Sequence, residues 1–358
     1  MNGKQVLILI ALCGFLQSCF NEIELDIPEN ASKGLYIEGN ISRAATEFVV
    51  FFSAGRTASV NDPSQVAELL EVTKAYLMCN QVAFPEFNLT NNETTRIPIA
   101  DFADKVELGD QPNFSLQVEL ADGRRFASAK EILFPVPKAN MIDIDTVRRS
   151  VFNNAGSIES RRFIEFKIST PLIAENGELA KLKWDMEAVF EFMEMPAPEP
   201  SLDPTLSCYI PHAVAKNQIS LYDGGVSTEP ELIRFPLLEM EIDYKFAFGF
   251  LITIYQQSLS SDAFEFWEQA RLNASQSGSV FDPVPGEVKS NIRNIDAPEE
   301  VVSGYFYATS IDTIRRLITP LELNYPLPYC RAYTEDPACL DCTLIRNSSL
   351  EKPDYWIE

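Results

Sequence analysis

Cys19 is the residue with the most clearly defined chemistry in the sequence. It closes the stretch Leu16-Gln17-Ser18-Cys19, which follows a short apolar run from Val6 to Leu12. A run of that length is typical of a secretory signal segment and is too short to span a bilayer. The stretch looks like a bacterial lipobox, in which the cysteine thiol takes a diacylglycerol group and the chain is cut before it. We therefore predict a signal peptide over residues 1–18 and a lipid anchor on Cys19, with a plain signal peptide and a chance cysteine as the alternative.

The residues that follow the anchor are expected to form an acidic tether over residues 19–33. Acylation at both the thiol and the new amino terminus would attach the protein stably to the membrane, because several acyl chains bind the bilayer much more tightly than a single one. The most apolar later stretch, Phe246 to Tyr255, is too short to span a membrane and alternates like a strand. The rest of the chain is therefore expected to be a water-soluble body tied to a membrane.

Five cysteines lie beyond the predicted signal peptide and anchor. Export would place them in a compartment where disulfides persist, and four of them, Cys208, Cys330, Cys339 and Cys342, are candidates with three possible pairings. Cys79 lies in an apolar run and is expected to be a free, buried thiol. Cys339 and Cys342 also have the C-x2-C spacing of a zinc site, but a second C-x2-C pair is missing, so disulfides are the favoured interpretation.

Other catalytic chemistry has little support in the sequence. His212 is the only histidine, so any Ser-His-Asp triad would depend on that one residue, which follows a proline and is expected in a loop. The motifs of nucleotide-binding loops and of the hydrolase nucleophile elbow do not occur. Asp143 and Asp145 could bind calcium, yet the end of an alternating strand explains the pair equally well. We predict no catalytic residue, no cofactor and no metal.

The charge balance restricts the possible partners. The 358 residues include 29 basic and 52 acidic side chains, which gives a formal charge of −23. A strongly negative protein repels the phosphate backbone, so nucleic acid is not expected as a partner. The composition is otherwise that of an ordinary globular protein, 46% apolar and 11% aromatic, and the length suggests two domains.

The elements that must position these residues are predicted to be mainly β-strands. Phe114 to Leu120 alternates apolar and polar residues, and Asp122-Gly123 supplies the turn of a hairpin before Arg125. Earlier strands are expected at residues 34–39 and 47–53. Strands at this spacing without a long helix predict an immunoglobulin-like β-sandwich over residues 34–134.

Two prolines in Phe134-Pro135-Val136-Pro137-Lys138 indicate a domain boundary, because proline lacks the backbone N–H that a β-sheet needs as a hydrogen-bond donor. The second unit, residues 139–358, is predicted to be a larger antiparallel β-rich domain that ends in a cysteine-containing tail. Its strands are expected at the following ranges: 162–168, 182–192, 244–254 and 303–308.

One helix is predicted in the second unit, over residues 262–274. Asp262 is expected to cap its first amides with Glu265 as the reciprocal acceptor, and Gly278 follows its end. Its apolar stripe includes Ala263, Trp267, Ala270 and Ala274, widened by Phe264 and Phe266, so the helix is expected to pack on the sheet, with ligand stacking as the minor alternative.

Several stretches occur together in an order and spacing that resembles the DUF4249 family of Bacteroidetes outer-membrane lipoproteins. The stretches are the lipobox at Cys19, Leu35 to Gly39, Phe134 to Pro137, Cys208-Tyr209, Phe264 to Glu268, Gly278 to Pro285, Val302 to Phe306, Cys339 to Cys342 and Lys352 to Trp356. The tail differs from the family pattern, because Asn347-Ser348-Ser349 stands where members often have two glycines. The resemblance implies a two-part β-rich lipoprotein with an immunoglobulin-like front domain, often encoded beside TonB-dependent receptors, and it implies no reaction.

These features together predict a non-enzymatic binding accessory of the outer membrane. The lipid anchor would hold it at the bilayer, on the cell surface or the periplasmic face, and a TonB-dependent transporter is the expected partner, whose ligand it would capture or gate. A surface hydrolase that uses paired carboxylates and a structural or adhesive module remain the alternatives.

Overall fold

The computed structural model of the protein is mainly β, as predicted. The structure describes residues 34–56, 68–109, 111–195, 205–214, 218–274, 288–325, 329–330 and 336–357. The predicted signal peptide, the anchor Cys19 and the tether lie outside these residues, as does Gly278. Within them, no helix has both the length and the apolar character needed to cross a membrane.

The largest sheet has nine strands within the described residues and forms a layer shared by the whole molecule. Its strands are β1 (Leu35–Arg43), β2 (Glu47–Arg56), β3 (Glu68–Leu69), β6 (Thr94–Pro98), β12 (Lys181–Met193), β13 (Ser207–His212), β14 (Ser220–Asp223), β16 (Gly249–Leu259) and β18 (Phe306–Ile318). The main path runs β13-β12-β16-β18-β1-β2-β3, with β14 also paired to β12 and β6 to β2.

Two smaller sheets complete the strand structure. The six-stranded sheet contains β4 (Val72–Cys79), β5 (Val82–Phe84), β7 (Asn113–Leu120), β8 (Arg125–Ser128), β9 (Glu131–Ile132) and β17 (Ile292–Asn294). The three-stranded sheet contains β10 (Met141–Phe152), β11 (Ile158–Pro171) and β15 (Glu231–Glu241). The predicted hairpin joins β7 to β8, and Gly123 has the positive φ of 86° that its turn requires.

Two hydrophobic clusters fill the space between the sheets. The first packs residues of β1, β2 and β18, such as Ile37 and Phe52, against the six-stranded sheet, which gives the front part its sandwich character. The second packs Trp184 and Phe250 from β12 and β16 against Phe166 of β11. Alternation explains this arrangement, because every second residue of a strand points to the same face. Cys79 lies in the first cluster as a free, buried cysteine.

A late segment of the chain, residues 292–318, returns to the front part of the fold. β18 pairs in parallel with β1, with Gly39 opposite Phe306, and β17 pairs with β8. Ile292, Val302 and Phe306 are therefore buried in the same cluster as the first strands. The boundary at residues 134–138 stays a prediction, but the core of the front part contains residues from both sides of it.

The proline-rich segment at this boundary is packed on β16 rather than solvated. The carbonyl of Phe134 accepts a hydrogen bond from Ser258 Oγ at 2.6 Å, and that of Pro137 accepts one from Gln256 Nε2 at 2.7 Å. Gln256 is fully buried and also accepts from Trp184 Nε1 at 2.9 Å. A buried amide needs such partners, so Gln256 ties the segment to the second core.

Two helices accompany the strands in the described residues: α1 (Ile99–Ala103) and α2 (Ser261–Ala274). The strand predicted from residue 244 begins later, at Gly249, because Tyr244–Phe246 forms a 3-10 turn. The Asp243 carboxylate accepts from the Lys245 amide at 3.1 Å and so starts this turn. Alternation of apolar residues could not reveal it, since the aromatic spacing continues through the turn.

Candidate functional site

An aromatic groove lies between α2 and the face of the large sheet that points away from the hydrophobic clusters. It consists of two cavities, of about 810 and 320 Å³, that share Glu38 and Phe266. The larger cavity is lined by Tyr36, Glu38, Phe266, Ala270, Val288, Lys289, Ser290, Val301, Val302, Ser303 and Gly304. The smaller cavity is lined by Glu38, Gly39, Asn40, Phe51, Phe266, Trp267, Tyr305 and Tyr307.

Strand alternation brings the sheet residues of the groove to one face. In β1, Ile37 and Ile41 are buried in the core, so Glu38 and Asn40 point the opposite way. Phe306 of β18 likewise enters the core, which leaves Tyr305 and Tyr307 on the groove side. The parallel pairing of β18 with β1 places these two tyrosines beside Glu38 and Asn40.

Helix α2 forms the other wall, and its start differs from the prediction. The helix begins at Ser261, and the side chain of Ser260 accepts a hydrogen bond from the Ala263 amide at 3.0 Å. Ser260 is therefore the capping residue rather than Asp262, since a cap precedes the first helical residue. Ala263 and Phe264 anchor the helix in a small cluster with Leu221, Leu259 and Tyr305.

The aromatic rings of the groove are packed against one another. Phe266 stacks on Tyr305 with ring centroids 4.6 Å apart, and Trp267 meets Tyr307 edge to face at 5.7 Å. Phe266 and Trp267 are themselves in edge-to-face contact at 5.4 Å. Aromatic pairs of this geometry contribute stabilisation beyond that of burying their apolar surface. The walls of the groove are therefore held in place before a ligand binds.

A buried carboxylate fixes the same wall from beneath. Glu131 of β9 accepts from Tyr305 Oη at 2.6 Å, from Ser260 Oγ at 2.7 Å and from Asn291 Nδ2 at 3.3 Å. Desolvation raises the pKa of Glu131 above its ordinary value, although these hydrogen bonds oppose the shift. Glu131 thus joins the cap of α2 to the tyrosine that lines the groove.

An ion pair between a buried lysine and an exposed aspartate lies under Trp267. Lys183 is only 4% exposed, donates to both carboxylate oxygens of Asp185 at 2.5 and 2.6 Å, and its Nζ lies 4.6 Å from the centroid of the Trp267 ring. Burial lowers the pKa of Lys183, and the Asp185 carboxylate opposes that shift. The alternation in β12 predicts that Lys183 lies on the polar face of the strand. In the structure, α2 covers that face at Lys183, so the lysine is buried.

Glu38 is the acidic group of the groove itself. Its side chain is exposed to solvent, and partial desolvation by the neighbouring groups raises its pKa above the ordinary value. Among the residues that the structure describes, no hydrogen bond or ion pair engages the Glu38 carboxylate. Burial raises the pKa of Tyr307, and the charges of Asp185 and Glu38 raise it further.

The four candidate cysteines lie at the other end of the large sheet. Cys208 of β13 is bonded to Cys342, and Cys330 is bonded to Cys339. The first disulfide joins the tail to the edge of the sheet, and backbone hydrogen bonds between Tyr209 and Ser349 extend the junction. A third cavity of about 270 Å³ lies between β13 and the tail, with Tyr209 and Lys352 in its lining.

The remaining candidate residues lie apart from the groove. His212 lies in β13 rather than in a loop and packs against Phe190 and Phe250, and desolvation lowers its pKa. Asp143 and Asp145 both pair with Arg234, at 3.0 and 2.6 Å. In the described part of the chain, no three or more His, Cys, Asp or Glu side chains are close enough together to hold a metal ion.

Comparison with known proteins places the chain in a family. The model of the domain of unknown function DUF4249 matches residues 21–315. The chain belongs to the DUF4249 family. The match includes all eighteen strands described above except the last residues of β18, together with the whole lining of the groove. No curated protein and no solved structure gives a significant match.

The groove was missed by the sequence analysis. Its residues come from β1 and β2 on one side and from α2 and residues 288–307 on the other, and more than 200 residues of the chain separate these two groups. The DUF4249 resemblance includes the stretches Leu35 to Gly39, Phe264 to Glu268 and Val302 to Phe306, and each of them contributes to this groove. That coincidence is one signal that points to the groove, and the aromatic stripe of α2, for which ligand stacking is the minor alternative, is another.

Proposed function

We propose that the protein is a lipid-anchored binding protein of the outer membrane, which captures a ligand in the aromatic groove and presents it to a TonB-dependent transporter without transforming it. The observation that carries the binding role is the groove, whose walls are already packed. A concave site with apolar walls and a few polar groups is the usual form of a small-molecule site. Its volume, about 810 Å³ in the larger cavity, is ample for such a ligand.

The proposed location is supported by the lipobox at Cys19 and by the two disulfides. Disulfides persist in oxidising compartments and are rare in the cytosol, so Cys208–Cys342 and Cys330–Cys339 agree with export. The resemblance to lipoproteins encoded beside TonB-dependent receptors supports the choice of partner.

Rigidity of the groove supports capture rather than a large rearrangement on binding. Glu131 holds Tyr305 and the cap of α2, and the stacked pair of Phe266 and Tyr305 leaves these rings little freedom. Preorganised walls lower the entropy that binding must overcome. A ligand would therefore be bound chiefly by stacking on rings that keep their positions.

Metabolic labelling with a palmitate analogue tests the anchor. We expect the label on the natural protein and on a Cys13→Ser variant, because Cys13 lies before the predicted cleavage site. A Cys19→Ser variant should lose the label and leave the membrane fraction. Label retained on Cys19→Ser would contradict the anchor.

Crosslinking in intact cells, followed by mass spectrometry, tests the partner. We expect a TonB-dependent transporter to be crosslinked reproducibly to the natural protein and to be lost with Cys19→Ser. Repeated crosslinks that never include a transporter would contradict the partnership. Turnover in a screen of glycans and peptides, abolished by changing one acidic residue, would favour a hydrolase instead.

A further inference from the structure

The smaller cavity of the groove has the composition of an aromatic cage. Five aromatic rings line its volume of about 320 Å³, namely Phe51, Phe266, Trp267, Tyr305 and Tyr307. Asn40 and Glu38 are the polar side chains of its lining that are not aromatic. This volume is at the lower end for ligand sites, so it suits a compact head group rather than a long chain.

The one formally charged side chain in the lining of the smaller cavity is acidic. Glu38 is the one ionisable side chain other than tyrosine in its lining, and within the described residues its carboxylate has no cationic partner. The ammonium of Lys183, which lies over the Trp267 ring, is paired with the carboxylate of Asp185. Lys289 lines the larger cavity and not the smaller one. A ligand in the smaller cavity would therefore meet an unpaired negative charge.

Aromatic faces add to this preference. The π face of a ring carries negative potential and attracts ammonium and guanidinium groups, most strongly for tryptophan. Trp267 already accepts the Lys183 ammonium in this way, 4.6 Å from its centroid. The formal charge of −23 attracts cations over a longer range as well.

We propose that the smaller cavity binds a small organic cation, an amine, quaternary ammonium or guanidinium group, against Glu38 and the aromatic rings. The ligand body would extend past Phe266 into the larger cavity, whose walls include Val288, Val301 and Val302. The proposal rests on the proposed function only in taking the groove as the ligand site, and it requires neither the lipid anchor nor the transporter.

Calorimetric titration of the full mature lipoprotein in detergent tests the proposal, with benzyltrimethylammonium as the probe. Its neutral analogue, in which carbon replaces the nitrogen, has the same shape and should bind at least about tenfold more weakly, because it lacks the charge that the carboxylate and the rings attract. A Glu38→Gln variant should weaken binding of the cation by about tenfold and leave the neutral analogue unaffected.

A matched control variant is Glu119→Gln, which removes the same charge from β7 in the six-stranded sheet. It should change binding of the cation by less than about twofold, since long-range attraction alone is weak when screened by salt. Comparing the cation with its neutral analogue on the unchanged protein keeps the test valid even if a variant folds poorly.

Three results would overturn the cage. They are equal binding of the neutral analogue, undiminished binding by a folded Glu38→Gln variant, and binding of a neutral oligosaccharide such as cellotetraose where the cation does not bind. Because the measurement uses purified protein, its failure leaves the labelling and crosslinking results untouched, and their failure leaves the cage untouched.

Discussion

At the scale of single residues, Glu131 links stability to the groove. Its carboxylate accepts hydrogen bonds from the residue that caps α2 and from Tyr305, which lines the smaller cavity. Nothing in the sequence around Glu131 distinguishes it from the other 51 acidic residues, since its partners lie about 130 to 175 residues away. Burial, and not residue type, gives it this role.

Replacement of Glu131 by glutamine should change how stability depends on pH. Because the folded-state pKa of Glu131 is raised, its contribution is fully present below the unfolded value of about 4.5 and is lost as pH rises through the folded value. The free energy of unfolding of the natural protein should therefore fall more steeply with rising pH than that of Glu131→Gln. Urea denaturation at a series of pH values measures this, with Glu119→Gln as the control. Parallel curves for Glu131→Gln and the natural protein would contradict the expectation.

At the scale of elements, the position of β18 depends on a close contact between the backbone of Gly304, just before this strand, and the backbone of β1. Gly304 has a φ of +105°, and a Cβ at this position would lie 2.1 Å from the carbonyl oxygen of Ile37. The same approach allows the hydrogen bonds from the Ile37 amide to Ser303 and from the Gly39 amide to Tyr305. The groove-lining tyrosines are placed by this contact between backbones.

Gly304→Ala should consequently lower the free energy of unfolding by about 3 kcal/mol or more, because it combines an unfavourable φ with a clash against backbone. Gly123→Ala is the matched control, since Gly123 also has a positive φ, of +86°, but no atom lies within 4 Å of the added carbon. It should lose only about 1 to 2 kcal/mol. Similar losses in denaturant titrations of the two variants would show that the close approach is unimportant.

The two disulfides should differ in their contribution to stability. Cys208–Cys342 closes a separation of 134 residues and Cys330–Cys339 one of 9 residues. In the loop-entropy model they stabilise the folded state by about 5 and about 2.5 kcal/mol, respectively. The difference arises because a crosslink that closes a longer loop removes more conformational entropy from the unfolded chain. Replacing both cysteines of each pair by alanine and comparing guanidinium midpoints checks the order. An equal or reversed order would contradict the entropic explanation.

At the scale of the whole molecule, the large sheet crosses the predicted boundary at residues 134–138. The front core contains Ile292, Val302, Phe306 and Ala308, and β1 pairs with β18. The two parts are therefore joined through a continuous hydrogen-bonded layer and are not connected by a linker alone.

A fragment of residues 34–134 should accordingly fail to fold by itself. It would expose the core surface that β17 and β18 cover in the full chain, and β1 would become an unpaired edge on that side. Amide proton spectra of the fragment should have the narrow dispersion of an unfolded chain, whereas the full chain gives dispersed signals. A well-dispersed, cooperatively unfolding fragment would support two independent domains.

Sequence patterns determined the local features of the fold, which are those that depend only on residues near one another in the chain. Alternation predicted the strands of β7, β11 and β12, the Asp122-Gly123 turn predicted a hairpin, and the stripe from Ala263 to Ala274 predicted α2, because these features arise from local backbone geometry. The lipid anchor at Cys19 stays a prediction of the same local kind.

Only the tertiary structure decided the features that depend on distant contacts. The pairing of the four cysteines, the parallel contact of β18 with β1, and the burial of Glu131 and Lys183 each join residues far apart in the chain. The groove follows from them, since Glu38 acquires its aromatic neighbours only when β18 and α2 are placed beside β1. Long-range packing selects among the many pairings that local pattern leaves equally possible.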